Sequence, residues 1–244
     1  MNHSEIEKLR GGLIVSCQAP QDSPLADAYI ISAFALAAQQ NGAVGVRVNS
    51  ARNIAAVRLR VKVPIIGIEK IETDESEVYI TPTFCSAERI ARSGADIIAI
   101  DATQRPRPGG EKLEDLIRRI REELQLPVMA DISTYEEGLY AADCGADIIA
   151  TTLCSYTPQT RGHLLPALDL VERLAGNLKK PVICEGGIMS PEQARSAFDH
   201  GACAVVVGAA ITGVDQLVKR FVEHGVPPPS HGVPPSGGTP NETI

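Results

Sequence analysis

Pro181-Val-Ile-Cys-Glu-Gly-Gly-Ile-Met-Ser190 is the stretch from which the architecture can be read. A short apolar run of this kind suits a parallel strand buried on both faces. It ends in a carboxylate, Glu185, followed by two glycines that let backbone N–H groups approach a ligand closely. Ser190, with Glu192 just beyond it, has the character of a helix N-terminus. Strand, Gly-Gly turn and helix start together form an anion site with an acid–base residue beside it. Further on the pattern returns as Ala204-Val-Val-Val-Gly-Ala-Ala210. Two successive glycine-bearing strand ends match the paired phosphate loops late in a (β/α)8 barrel, which makes Gly186, Gly187, Gly208 and Ala209 candidate phosphate contacts.

Working outward, Gly94-Ala-Asp-Ile-Ile-Ala-Ile-Asp101 and Gly145-Ala-Asp-Ile-Ile-Ala-Thr-Thr152 repeat one unit, and Gly201-Ala-Cys-Ala-Val-Val-Val-Gly208 is a looser copy. In each, a helix stops at glycine and a buried strand follows, which fixes strands four, six and eight. Gly12–Gln18, Val44–Arg47, Val63–Lys70 and Pro127–Asp131 supply strands one, two, three and five, and the run after Pro181 is strand seven. Helical patterns intervene at Ala26–Gln40, from Ser50, at Ser86–Ser93, Lys112–Gln125, Thr134–Cys144, Pro166–Leu178, Pro191–His200 and Val214–His224. The segment between Lys70 and Thr83 is polar and reads as a loop. The expected fold is α/β, a TIM barrel in which eight parallel strands alternate with helices.

Length and composition agree. A chain of 244 residues fits one such barrel, which takes about 250 residues. Trp is absent, so the core must be built from Ile, Val, Leu and Ala. A net charge of −7 and the lack of a dense basic run argue against nucleic acid as a partner. No apolar run spans a bilayer, and the polar start, Met1–Arg10, lacks a secretory pattern, so a cytoplasmic protein with no membrane partner is expected. The six Cys form no C-x-x-C pair and read as reduced thiols, mostly small core residues. From Gly225 the chain turns rich in Pro and Gly. Residues 1–224 are therefore expected to form a single barrel and 225–244 a disordered tail.

Barrel enzymes carry their chemistry at the C-terminal strand ends. Here those ends hold Gln18, Arg47, Lys70, Asp101, Asp131, Thr152, Glu185 and Gly208. Asp101 and Arg47 have an alternative role as partners for each other or for neighbours, and Asp131 as a cap for the next helix. Glu69 should point away from Lys70 by strand alternation. Strands three and seven lie opposite each other in an eight-stranded barrel, so Lys70 and Glu185 can flank one small substrate. Two proton-transferring groups on either side of a carbon suit inversion at a C–H centre. No His/carboxylate cluster has metal-ligand spacing, so no catalytic metal is expected. Two other readings remain open on these residues: a phosphosugar aldolase or lyase in which Lys70 forms a Schiff base, and a non-catalytic phosphosugar-binding barrel.

Gly12-Leu-Ile-Val-Ser-Cys-Gln-Ala19, Gly45-Val-Arg47, Ile66-Gly-Ile-Glu-Lys70, Ile80-Thr-Pro-Thr83, Asp101-Ala-Thr-Gln-Arg-Pro-Arg-Pro108, Met129-Ala-Asp-Ile-Ser133, Glu185-Gly-Gly-Ile188 and Val207-Gly-Ala-Ala-Ile-Thr212 occur in this order. In these motifs the sequence resembles the N-acetylmannosamine-6-phosphate 2-epimerase family of sialic acid and amino sugar catabolism, from Gly12 to Val222. The resemblance implies a cofactor-free conversion of N-acetylmannosamine 6-phosphate to N-acetylglucosamine 6-phosphate. It also implies that Lys70 transfers the proton with help from Glu185, that Gln18, Arg47 and Asp131 contact the sugar, and that the late glycine loops hold its phosphate. A homodimer is implied too, with the apolar residues Leu217, Phe221 and Val222 as a further motive. The chain departs from the family where Gly213-Val214 replaces the usual Arg-Pro and where Cys154-Ser-Tyr-Thr157 replaces Ser-Gly-Tyr-Thr.

Overall fold

Helix ends punctuate the chain. Gly94, Gly145 and Gly201, the first residues of the repeated unit, adopt φ of 101°, 99° and 92°, as does Gly42 at 95°. In each case the glycine N–H and the next N–H turn back onto the final helical carbonyls, as in Gly94 N to Ala91 O (3.0 Å) and Ala95 N to Ile90 O (3.3 Å). This αL stop is open to glycine at little cost and launches the strand that follows. The structure, a computed structural model, describes residues 4–226.

The strands are β1 (Leu13–Cys17), β2 (Gly45–Asn49), β3 (Ile65–Ile68), β4 (Ile97–Asp101), β5 (Val128–Asp131), β6 (Ile148–Ala150), β7 (Val182–Glu185) and β8 (Ala204–Val207). They form a closed barrel in sequence order, every pair parallel, and β8 returns to β1 with Val206 opposite Ile14. The helices are α1 (Ser4–Glu7), α2 (Ala28–Gln40), α3 (Ala51–Arg58), α4 (Phe84–Arg92), α5 (Leu113–Arg119), α6 (Tyr135–Asp143), α7 (Leu168–Asn177), α8 (Pro191–Asp199), α9 (Ala209–Thr212) and α10 (Val214–Gly225). The expected (β/α)8 barrel is the observed fold.

Strand alternation divides the core in two. One apolar layer lies between strands and helices. The other fills the lumen with Ile14, Ile66, Ile68, Ile97, Ala99, Met129, Ile148, Ala150, Ile183, Ala204 and Val206. The N-terminus, read only as polar, closes the lumen's floor: α1 and the turn after it bury Ile6 and Leu9 in that same inner layer. Gly45 faces this plug, and a Cβ there would lie 2.6 Å from Leu9 Cδ2.

Three other expectations need correction. The segment after β3 is a small hairpin rather than a loop: Lys70 and Ile80 form an antiparallel bridge, and Ile71 N donates to Tyr79 O at 2.9 Å. α9 intervenes after β8, where no helix was read. The helix expected over 112–125 is α-helical only to Arg119 and continues as a wider π-type turn, Ile120–Leu124. α10 runs through Gly225, and most of the expected tail, 227–244, lies outside the described residues. No helix of the described residues is long and apolar enough to cross a membrane.

Candidate active site

The alternation that fills the lumen also places the site. The next inward position above the lumen residues is Ser16 then Gln18 after Ile14, Arg47 after Gly45, Lys70 after Ile68, and Asp101 after Ala99. It is Asp131 after Met129, Thr152 after Ala150, Glu185 after Ile183 and Gly208 after Val206. Packed Ile and Ala thus form a rigid bed, and a ring of polar groups crowns it at the C-terminal end.

Arg47 organises this ring. Its guanidinium forks onto the Asp131 carboxylate, Nη1 to Oδ1 at 3.0 Å and Nη2 to Oδ2 at 2.5 Å. Nη1 also donates to Glu185 Oε2 at 2.9 Å. Thr152 Oγ1 lies 2.6 Å from Asp131 Oδ1 and 3.2 Å from Glu185 Oε2. Arg47 and Asp131 are buried, as is nearly all of Glu185. Arg47 therefore does not pair with Asp101, as the sequence left open. Asp101 pairs instead with Arg105, Nη2 to Oδ2 at 2.7 Å. Nor does Asp131 cap the next helix, because Thr134 does so, accepting from Glu137 N.

Lys70 stands across the barrel from Glu185, two residues beyond β3. Its backbone N–H donates to Asn49 Oδ1 at 2.9 Å, which with the hairpin bridge fixes where its side chain departs. The side chain enters the open mouth and is exposed, and no salt bridge engages it among the described residues. The surrounding walls nevertheless displace water, and that desolvation, with the positive charge of Arg47 second, draws its pKa below the ordinary lysine value. Glu185 moves the other way. Burial raises its carboxyl to about 7, Arg47 opposes the rise and the Asp131 charge adds to it. For Arg47, burial alone would lower the pKa; the Asp131 and Glu185 carboxylates outweigh it and keep the guanidinium charged. Glu69 turns outward to Arg89 Nη2 at 2.6 Å, as alternation requires.

The glycine loops end the neighbouring strands β7 and β8. Gly186 and Gly187 have φ of 110° and 70°, and Ser190 caps α8 by accepting from Gln193 N at 3.3 Å. Gly208 precedes α9, whose first N–H groups no side chain caps. On the β1 side, Thr212 Oγ1 donates to Ser16 O at 2.6 Å and Gln18 Nε2 donates to Ser16 Oγ at 2.7 Å. Gln18 Oε1 and Arg47 Nε are buried polar atoms with no hydrogen-bond partner among the described residues. At Gly213 an added Cβ would lie 2.7 Å from Ala209 Cα and O, so this backbone has no room for a side chain at position 213.

The arrangement joins Arg47, Asp131 and Glu185 directly, sets Lys70 across the barrel from Glu185, and puts the glycine loops along one rim. Asn49, Tyr79 and the bonding of Thr152 escaped the sequence reading. Asn49 and Thr152 were accessible through the inward i, i+2 positions. Tyr79, half-buried against the lumen layer, comes from the hairpin, where the polar run Glu72–Glu77 hid it.

Comparison with known proteins adds a second line. A family model described as "Putative N-acetylmannosamine-6-phosphate epimerase" matches residues 31–225. A Synechococcus elongatus protein named "Putative N-acetylmannosamine-6-phosphate 2-epimerase" is 52% identical over 220 residues, 89% of this chain and 95% of its own. A Listeria welshimeri protein of the same name is 45% identical over 225 residues, 91% of this chain and 95% of its own. Among solved structures, one described as the N-acetylmannosamine-6-phosphate 2-epimerase from Clostridium perfringens matches with a TM-score of 0.87 at 42% identity, covering 91% of this chain and 97% of that one. A Pyrococcus furiosus thiamine phosphate pyrophosphorylase, at 17% identity and TM-score 0.58, shares the fold alone.

Proposed function

The chain belongs to the N-acetylmannosamine-6-phosphate epimerase family, and from that premise we propose how its own residues carry the reaction. It is an isomerase that inverts C2 of an N-acylhexosamine 6-phosphate, converting N-acetylmannosamine 6-phosphate to N-acetylglucosamine 6-phosphate. Ring opening places an aldehyde next to C2 and makes the C2 proton acidic. One of two groups on opposite sides of C2 removes it, an enolate forms, and the other group returns a proton to the opposite face. Lys70 and Glu185 are that pair.

The observation that carries this assignment is their placement: Lys70 after β3 and Glu185 at the end of β7, facing across the mouth with opposite pKa displacements. Desolvation favours a neutral amine at Lys70 and a protonated carboxyl at Glu185, so one can accept as the other donates. The open-chain sugar lies between them in this scheme. Gln18, Arg47 and Asp131 contact its hydroxyl and N-acyl groups, and the unpartnered Gln18 Oε1 and Arg47 Nε favour the first two. The phosphate rests on the N–H groups of Gly186–Gly187 and Gly208–Ala209, two strand-to-helix turns side by side. Lys70→Ala and Glu185→Gln should each lose about 10²–10⁴-fold in kcat with KM changed far less. Near-normal kcat in a folded Lys70→Ala enzyme would dismiss Lys70 as the base.

The working unit is a homodimer in the cytoplasm. α10 supports the dimer, because Val214, Val218, Phe221 and Val222 recur at i, i+4, i+7 and i+8 along one stripe. Each of them is exposed, and the helix has no buried residue.

A further inference from the structure

Thr152 is not explained by packing or by capping. Its neighbour Thr151 does structural work, donating to Glu185 O at 3.0 Å and accepting from Glu185 N at 3.2 Å, which locks β6 to the end of β7. Thr152 instead points inward, and its hydroxyl reaches two carboxylates of different residues, Asp131 Oδ1 at 2.6 Å and Glu185 Oε2 at 3.2 Å. A hydroxyl has one hydrogen and can serve only one of them well at a time. Arg47 already gives each carboxylate an N–H from the same Nη1, at 3.0 and 2.9 Å. The threonine is thus the one link in this cluster that can change sides by a single bond rotation.

We propose that Thr152 is a positioning residue for the proton transfer: its hydroxyl turns its one hydrogen from Asp131 toward Glu185 as Glu185 gives up its proton, and back again as Glu185 regains it. The proposal rests on the reading of Glu185 as a proton carrier and adds how that carrier is tuned. When Glu185 is protonated, the hydroxyl stays on Asp131 through the shorter contact. When Glu185 is ionised, a second donor is available beside Arg47 to hold the new charge. No bond other than hydrogen bonds is made or broken in the threonine itself. The charged and titratable groups facing Glu185 are Arg47 from β2, Lys70 beyond β3 and Asp131 from β5, with Cys184 next to it on β7. Burial holds the Cys184 thiol up at about 11, so it stays neutral near pH 7. Arg47 stays charged throughout, which leaves Lys70, Asp131 and the threonine to set when Glu185 ionises.

The test is the pH dependence of kcat/KM for Thr152→Val, Thr152→Ser and Glu185→Gln, alongside a ¹³C NMR titration of the labelled glutamate carboxyls. Valine keeps the shape and removes the hydrogen. The Glu185 limb should move up by about 0.5–1 pH unit in Thr152→Val and return to its place in Thr152→Ser. The carboxyl titration reads the same shift without turnover, so a valine variant of low activity still decides the matter; if valine impairs folding, Thr152→Ala takes its place. A limb and a carboxyl titration that coincide in wild type and the hydroxyl-free variant overturn the role of Thr152, provided Glu185→Gln has lost the limb. If Glu185→Gln keeps the wild-type limb, the assignment of Glu185 itself fails, and the inference with it.

Discussion

Glu185 sits under influences that do not agree. Burial favours its neutral form, Asp131 does the same, and Arg47 at 2.9 Å favours its charge. Burial prevails, and the carboxyl rises from 4.5 to about 7. Between those values the folded protein keeps a proton that the unfolded chain has lost, so stability falls as pH rises through that window. The wild-type melting temperature should therefore drop from pH 5 to pH 7.5, and Glu185→Gln, which cannot ionise, should flatten that slope; an unchanged slope would remove Glu185 as its source. Arg47 is the more dangerous residue to lose. Arg47→Met would strand Asp131 and Glu185, two buried carboxylates, without their counter-charge, a change that typically costs about 3–5 kcal/mol. Thermal denaturation should show a far larger loss for Arg47→Met than for Glu185→Gln, and equal losses would mean the guanidinium is not what holds the cluster.

The two glycine loops at the mouth differ in how they tolerate change. Gly187 has φ 70°, and a Cβ there would come within 2.3 Å of Leu165 Cβ in the β6–α7 connection. Gly187→Ala should thus lower the melting temperature, so a change at this position cannot report on phosphate alone. Ala209, the first residue of α9, is the cleaner probe. Ala209→Asp puts a negative charge where the sugar phosphate is proposed to lie, so KM for the 6-phosphate should rise sharply while the fold is kept. A folded Ala209→Asp enzyme with wild-type KM would move the phosphate elsewhere. The element that escaped the sequence reading most completely is the hairpin after β3. Its strands pair through two backbone bridges, Lys70 with Ile80 and Thr73 with Ser76, too short a pairing to leave a period in the sequence. Lys70 was legible as a residue, but the means of holding it was not, because Asn49 reaches its backbone from β2 and Ile80 pairs with it across the hairpin.

On the scale of the molecule, the eight strands and their order were readable because each is a dense apolar run that begins after a glycine or proline, and seven of the eight lead to a polar strand end. That pattern follows directly from burial on both faces. Lys70 and Glu185 were found opposite each other because closure of eight strands fixes which ends face. The partnering of Arg47 was not readable: Asp101, Asp131 and Glu185 all lie at strand ends, and only the three-dimensional register chooses among them. The floor formed by Ile6 and Leu9 was missed because two apolar residues in a charged segment carry no clear period. α10 remains exposed along Val214, Val218, Phe221 and Val222, with Phe221 at 69% of its full accessibility. Such a stripe on a chain of 25.9 kDa fits the proposed self-association. Light scattering should give twice that mass, and Phe221→Glu should shift the protein toward the single-chain mass. A wild type that runs only as a monomer would contradict the dimer.

The most direct test of the central claim follows C2 itself. N-acetylmannosamine 6-phosphate incubated with the wild-type protein in D₂O should yield N-acetylglucosamine 6-phosphate carrying deuterium at C2, seen by NMR as loss of the C2 proton signal. Lys70→Ala, shown to be folded by its melting curve, should lose deuterium incorporation and epimerisation together. Product formed without C2 deuterium in the wild type, or with it at near-normal rate in Lys70→Ala, would contradict proton transfer by Lys70 and Glu185.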